Sequence, residues 1–256
     1  MTPQRASDRV PQPLAESAFL ARLRDEGARR YHDEHPFHRR MHEGALSRGD
    51  LQRWVANRYY YQTRIPIKDA IILSKSDDPA FRRMWIQRIH DHDGTDRDEG
   101  GLVRWQRLGE AVGLDRGALI ACADVLPGVR FACDAYVHFV RDASLVEAVA
   151  SSLTEFFAPD LMVKRIAAWE QHYPWVERSG LDYFRSRVTQ GRRDSEQAIA
   201  FVLEHARTAA LQALCVAALV RKTEILWHLL DSVQAGGATA ASASSAPPAP
   251  LGGAVR

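Results

Sequence analysis

From Pro13 to Gln234 the chain keeps a helical period almost without interruption. Apolar residues return every three or four positions, and no stretch alternates apolar and polar residues convincingly enough to be a strand. Such a chain has few options beyond helices that each bury one stripe against their neighbours. The pattern predicts helices near 14–29, 49–75, 79–92, 99–112, 128–142, 145–172, 179–190 and 193–233. Ser47 and Asp50 form a capping-box variant ahead of Leu51 and Trp54. Asp77-Asp78-Pro79 supplies acidic caps and a helix-starting proline before Phe81 and Trp85. Gly94, Gly100, Gly113 and Gly128 punctuate the pattern, and Pro66, inside a helical run, predicts a kink near Arg64. No repeat at a fixed period occurs. The fold class is all-α, a compact helical bundle.

At 256 residues the chain can bury a substantial core. A net charge of +2, with acids and bases interspersed and no basic stripe carrying aromatics, argues against a nucleic-acid partner. Cys122, Cys133 and Cys215 are odd in number and sit among apolar neighbours, as small core residues do in a reducing compartment. Met1 to Arg9 lack the apolar core of a signal peptide, and no run approaches ~18 apolar residues. The expectation is a cytoplasmic protein without a membrane span. Residues 1–12 are expected to be disordered and 13–234 to form one helical domain. The Ala/Ser/Gly/Pro-rich stretch 235–256 is expected to be a disordered tail.

Lys222 interrupts an apolar stripe formed by Cys215, Ala218, Leu219, Ile225, Leu226 and Leu229. Either it snorkels its head into water, or it waits inside a pocket for an anion, because an isolated buried ammonium is costly. Three polar pairs accompany it, each four residues apart on a helix: Arg58 and Gln62 after Trp54, Arg88 and His92 after Trp85, and Tyr183 with Arg187. Taken singly, each arginine reads equally well as the partner of a carboxylate on a neighbouring helix. Together, three arginines and a lysine beside aromatic rings suit a planar molecule bearing several carboxylates, which arginine forks bind bidentately. His92 suits proton transfer, or else it caps a helix C-terminus. His38 and His42 have metal-sharing spacing. Pro36 breaks their segment, however, and only Glu-x-x-x-His spacings occur, at Glu34–His38 and Glu224–His228. No metal is expected. No dinucleotide, P-loop, kinase or Gly-x-Ser-x-Gly motif is present.

Several blocks resemble the pyrroloquinoline-quinone synthase family: Tyr31-His32 with His35-Pro36, the run from Trp54 to Gln62, and Gln87-Arg88-Ile89 with Asp91-His92-Asp93-Gly94. Leu126 to Phe131, Ser151 to Glu155 and Tyr183 to Arg187 extend the likeness, which covers roughly 30–231. The resemblance implies a haem-oxygenase-like fold and a homodimer. It implies the last step of pyrroloquinoline quinone biosynthesis, a ring closure followed by multi-electron oxidation of a polycarboxylate quinone precursor. Dioxygen is the co-substrate, hydrogen peroxide is released, and neither metal nor separate cofactor takes part.

By the same resemblance His92 is the central acid/base. Tyr183 and Arg187, with His92, hold dioxygen or peroxide, and His32 joins the catalytic group. Arg58, Gln62, Arg88, Arg165 and Lys222 bind the substrate's carboxylates and carbonyls, and Tyr31, Tyr136, Thr154 and Glu155 complete the pocket.

The chain departs from the family pattern twice. Met162 stands where many members have a pocket histidine, and Gln234-Ala235-Gly236-Gly237 replaces an apolar continuation of the last helix. Some relatives are fused through an Ala/Pro-rich linker to the pathway's small peptide-binding protein, so the tail resembles a linker remnant and that protein is a candidate partner. Two other classes stay open. One is another enzyme on the same fold, a thiaminase-II-like hydrolase with Cys133 as nearest nucleophile or a di-iron oxidase. The other is a non-catalytic protein that binds or transfers the quinone.

Overall fold

Capping residues set where the helices begin. In the computed structural model, which describes residues 11–244, Ser47 and Asp50 close both halves of a capping box. The Asp78 carboxylate accepts from the backbone N–H groups of Ala80 and Phe81. A second capping box, Ser144 with Glu147, starts the helix after the chain turns at Ala143. Each satisfies donors that the first helical turn leaves free.

The α-helices are α1 (Glu16–Ala28), α2 (Pro36–His42), α3 (Arg48–Ser74), α4 (Pro79–Trp85), α5 (Gln87–Asp93) and α6 (Gly100–Ala111). They continue as α7 (Arg116–Ile120), α8 (Pro127–Asp142), α9 (Leu145–Ser151), α10 (Ala158–His172), α11 (Asp182–His205) and α12 (Ala209–Ser244). Single 3-10 turns occupy His32–Glu34, Ser152–Phe156 and Arg178–Leu181. Among the described residues there is no strand, only an isolated bridge between Thr95 and Asp98. The all-α class stands.

Several boundaries differ from the sequence pattern: α2 and α7 have no counterpart in it, and the 193–233 run breaks between His205 and Ala209. The 79–92 run is two helices that break at Ile86, and 145–172 is interrupted by the turn at Ser152–Phe156. A continuous apolar period cannot reveal a change of helix direction. The break expected at 191–192 is absent, and α11 runs to His205. Gly191 lies inside α11 instead, where a Cβ would make only ordinary contact with Pro159, at 3.4 Å, and Glu155, at 3.7 Å. The last helix does not end at Gln234, and 235–244, expected to be disordered, is helical. Alanine is the best helix former, and Gly236 and Gly237 give that stretch a place to pack. A Cβ at Gly236 would meet Leu126 of α8 at 2.8 Å, and one at Gly237 would meet Arg53 of α3 at 2.5 Å. The expectations for residues 1–10 and 245–256 lie outside the described residues.

α3 is the central element, running through Pro66 with α8, α5 and α6 packed around it. α12 covers α8, α9 and α1, and α11 lies on α10. An aromatic nucleus ties α3, α6, α10 and α11 together: Trp54 lies 5.5 Å from Trp105 and 6.0 Å from Trp169, and Trp169 lies 5.5 Å from Phe184. All four rings are buried. Such offset and edge-on pairs add about 0.5–1.5 kcal/mol each beyond burial. No helix among the described residues is long and apolar enough to cross a membrane.

Candidate active site

Beside the aromatic nucleus a small cavity of about 40 Å³ lies between α3, α5, α10, α11 and α12. α3 lines it with Arg58, Tyr61, Gln62 and Ile65, whose spacings of three and four place them on one face. Tyr31 and His32 enter from the turn before α2, and Thr154 and Glu155 from the turn before α10. His92, Tyr183 and Arg187 complete the polar wall. Nine of the thirteen site residues read from sequence therefore meet at one cavity.

The other four lie just behind it, each tied to the lining. Lys222 donates to the Tyr61 hydroxyl at 2.7 Å, and its Nζ sits 3.3 Å from the Tyr136 ring centroid. Arg165 approaches His38, 3.3 Å away, which in turn bonds the His32 carbonyl. Arg88 stacks over Trp85 at 4.0 Å, and its backbone carbonyl meets His92. Lining residues that sequence reasoning left without a role are Tyr61, Ile65, Ala158 and Leu226. The signal for Tyr61 and Ile65 was their three-residue offset from Arg58 and Gln62. Met162, in the place of a family histidine, does line the cavity.

Two glycines set the backbone around His92. Gly94 (φ 90°) ends α5 two residues after it, and Gly100 (φ 78°) starts α6 so close that a Cβ would lie 2.6 Å from the His92 carbonyl oxygen. The His92 Nδ1 lies 3.0 Å from the Arg88 carbonyl oxygen. A carbonyl only accepts, so Nδ1 carries the proton and Nε2 is left as an acceptor. Burial, then repulsion from Arg187, holds the His92 imidazole down to about 4. It is a neutral base at pH 7. Tyr183 donates to Gln62 Oε1 at 2.8 Å, and burial pushes its phenol up, so it remains a donor.

The charges divide into two groups. On the α5 and α11 side every cation has a carboxylate: Arg187 pairs with Glu155 at 2.7 Å and Asp194 at 3.4 Å, and Arg88 with Asp194 at 3.8 Å. Lys68 is held 2.6 Å from Asp69. On the opposite side Arg58, Arg165 and Lys222 meet no carboxylate within ion-pair distance among the described residues. Arg58 stacks over Tyr61 at 3.8 Å, and Arg165 lies over Trp54 at 4.9 Å. Burial and then Arg58 hold the Arg165 guanidinium down to about 9. Burial, followed by Arg58 and Lys68, holds the Lys222 amine well below its ordinary range. Snorkelling is ruled out for Lys222, which is 2% exposed.

Two of the residues weighed for other chemistries, His38 and Cys133, are occupied or inert. Both His38 ring nitrogens face partners, the His32 carbonyl and Arg165. Cys133 is buried, and burial pushes its thiol up to about 12, so no nucleophilic thiolate forms.

A family model described as the TENA/THI-4/PQQC family matches residues 20–232. The chain belongs to that family. Among its relatives is a pyrroloquinoline-quinone synthase of Ectopseudomonas mendocina, 51% identical over 86% of this chain and 88% of that one. Another of the same name, from Cronobacter sakazakii, is 52% identical over 86% of this chain and 87% of its own. A solved domain of unknown function from Shewanella denitrificans, with a heme oxygenase-like fold, superposes with a TM-score of 0.72. It covers 92% of this chain and 99% of its own at 13% identity, which speaks to the fold alone. The family's helical fold is thus the one observed, and the cavity lies within the matched span.

Proposed function

We propose that the chain is a pyrroloquinoline-quinone synthase, catalysing the last step of pyrroloquinoline quinone biosynthesis. The observation that carries this reading is the trio Arg58, Arg165 and Lys222, positively disposed and without carboxylates, beside the aromatic wall of the cavity. A planar polycarboxylate supplies what they lack. The relatives named for this activity, at about half identity over most of both chains, support the same substrate class.

In this reading the hexahydroquinoline-dicarboxylate quinone precursor enters with its carboxylates toward Arg58, Arg165 and Lys222. After ring closure, His92 Nε2 takes a proton from the ring system. The electron pair released moves into the quinone, and dioxygen reoxidises the reduced ring. Each two electrons and two protons that leave reduce one dioxygen to hydrogen peroxide. Arg187 and the Tyr183 hydroxyl offer N–H and O–H donors where peroxide charge develops. The quinone carries the redox chemistry, so the reaction needs neither metal nor separate cofactor. The enzyme works as a homodimer in the cytoplasm, and the C-terminal stretch serves as a tether toward the pathway's small peptide-binding protein.

The test mixes chelator-treated protein with the precursor and follows quinone absorbance, oxygen uptake and peroxide. Oxygen consumption with formation of pyrroloquinoline quinone is expected. A protein that binds pyrroloquinoline quinone but consumes no oxygen is a carrier, and activity that tracks a bound metal overturns the cofactor-free reading.

A further inference from the structure

We propose that Asp194 is a positioning residue that tunes the charge of the cavity through Arg88 and Arg187. The inference rests on the function proposed above and adds a residue that never touches the substrate.

Asp194 is 1% exposed and lies on α11 behind the cavity wall. Its side chain is shared by three arginines from two helices. Oδ2 lies 3.8 Å from Arg88 and 3.4 Å from Arg187, and Oδ1 accepts from Arg193 Nη2 at 2.7 Å. The Asp194 backbone carbonyl accepts a further bond from Arg88. Two routes lead from it to the reacting groups. Arg88 carries the carbonyl that fixes the His92 tautomer, and Arg187 stands in the wall between Asp194 and Glu155.

One carboxylate thus neutralises the cation pair on the side where proton transfer takes place. Burial alone would raise this carboxyl, but Arg88, Arg187 and Arg193 hold it down to about 2, so it is ionised throughout the working range. Arg193, a third exposed, is the outer partner and also pairs with Asp91.

Opposite signs follow for two substitutions. Asp194→Asn keeps the shape and the backbone bond to Arg88 but removes the charge. The cavity becomes more positive, so it should bind the anionic product as tightly as wild type or up to about tenfold tighter. Proton transfer should suffer, because the charge facing His92 from Arg187, Lys68 and Glu155 shifts toward positive. Arg88 also loses its ion-pair partner, keeping only the backbone bond, and small misplacements cost up to about 10²-fold. Arg193→Gln leaves more of the Asp194 charge to the inner arginines, so product should bind a few-fold more weakly.

The experiment measures pyrroloquinoline quinone affinity by absorbance titration and single-turnover oxidation by stopped flow, for wild type, Asp194→Asn, Asp194→Glu and Arg193→Gln. Expected are at least about tenfold slower oxidation with undiminished binding in Asp194→Asn, partial recovery in Asp194→Glu, and weaker binding in Arg193→Gln. Binding and oxidation that fall together in Asp194→Asn, or wild-type values for both, overturn the proposal. If Asp194→Asn does not fold, unchanged product affinity in Arg193→Gln overturns it instead. A wild type that binds product without oxidising precursor defeats the functional reading, and the two binding shifts then decide the inference by themselves.

Discussion

At the scale of single residues, Lys222 shows how a buried cation is kept ready. Its amine has a hydroxyl and a ring face for company, and Arg58 and Lys68 push against its proton. A ligand carboxylate beside it would restore the charge. Binding of pyrroloquinoline quinone should therefore take up a proton, and affinity should weaken as pH rises. Calorimetric titration in two buffers of different ionisation enthalpy checks the uptake. Lys222→Ala should lose about 1.5–3 kcal/mol of binding, and Lys222→Arg less. Equal affinities for wild type and the alanine variant would remove Lys222 from the binding site. His92 poses the complementary case, since its protonated Nδ1 leaves Nε2 free to accept. His92→Asn keeps a similar size and a hydrogen-bonding group without a titratable nitrogen. It should bind product within a few-fold of wild type and slow oxidation by about 10²–10⁴-fold. Undiminished single-turnover rates would place the proton transfer elsewhere.

At the scale of elements, the longest helix is the informative one. α12 runs ten residues past Gln234 to Ser244, and its two glycines seat it on Leu126 and Arg53. Truncation after Gln234 should thus cost stability, on the order of 1 kcal/mol, read as a fall of about 2–4 °C in melting temperature. The chemical step should be untouched, because the cavity lining from α12 is Leu226, two turns before the cut. An unchanged melting temperature would mean that the extension docks too weakly to matter. α11 gives the opposite lesson about glycine. A break at 191–192 would put Asp194 in the first turn of a new helix. In the unbroken helix it stands seven residues after Arg187, on the same face.

At the scale of the whole molecule, the interior holds an unusual number of neutral imidazoles. His32 and His38 are held well below their ordinary range by burial, followed by Arg58 for His32 and Arg165 for His38. Burial brings His42 to about 3 and His92 to about 4. In the unfolded chain each titrates near 6.5. The unfolded state therefore binds more protons below that pH, and the stability these groups hold at pH 7 is lost as pH falls from about 6.5 toward 4. His92 alone accounts for about 3 kcal/mol across that window. Asp33, Asp69 and Asp93 are held by burial above the usual carboxylate range and work the other way, at lower pH. Melting temperature should drop steadily between pH 7 and 5 in a ligand-free thermal scan. A flat profile would show that the histidines are solvated in solution.

What the sequence determined by itself was the periodic and the local. The helical period, the caps at Ser47 and Asp78, and the polar pairs of α3 and α11 depend on residues within a turn or two. The family blocks belong with them, since they are contiguous strings. What only tertiary structure decided involves partners far apart in the chain. Whether Lys222 snorkels depends on Tyr61 and Tyr136, 161 residues away in the first case. Whether Gly236 breaks the last helix or seats it depends on Leu126. The same holds for which cations keep a carboxylate and which are left for a ligand. A buried charge takes its energy from what surrounds it in space, and its own segment does not carry that information.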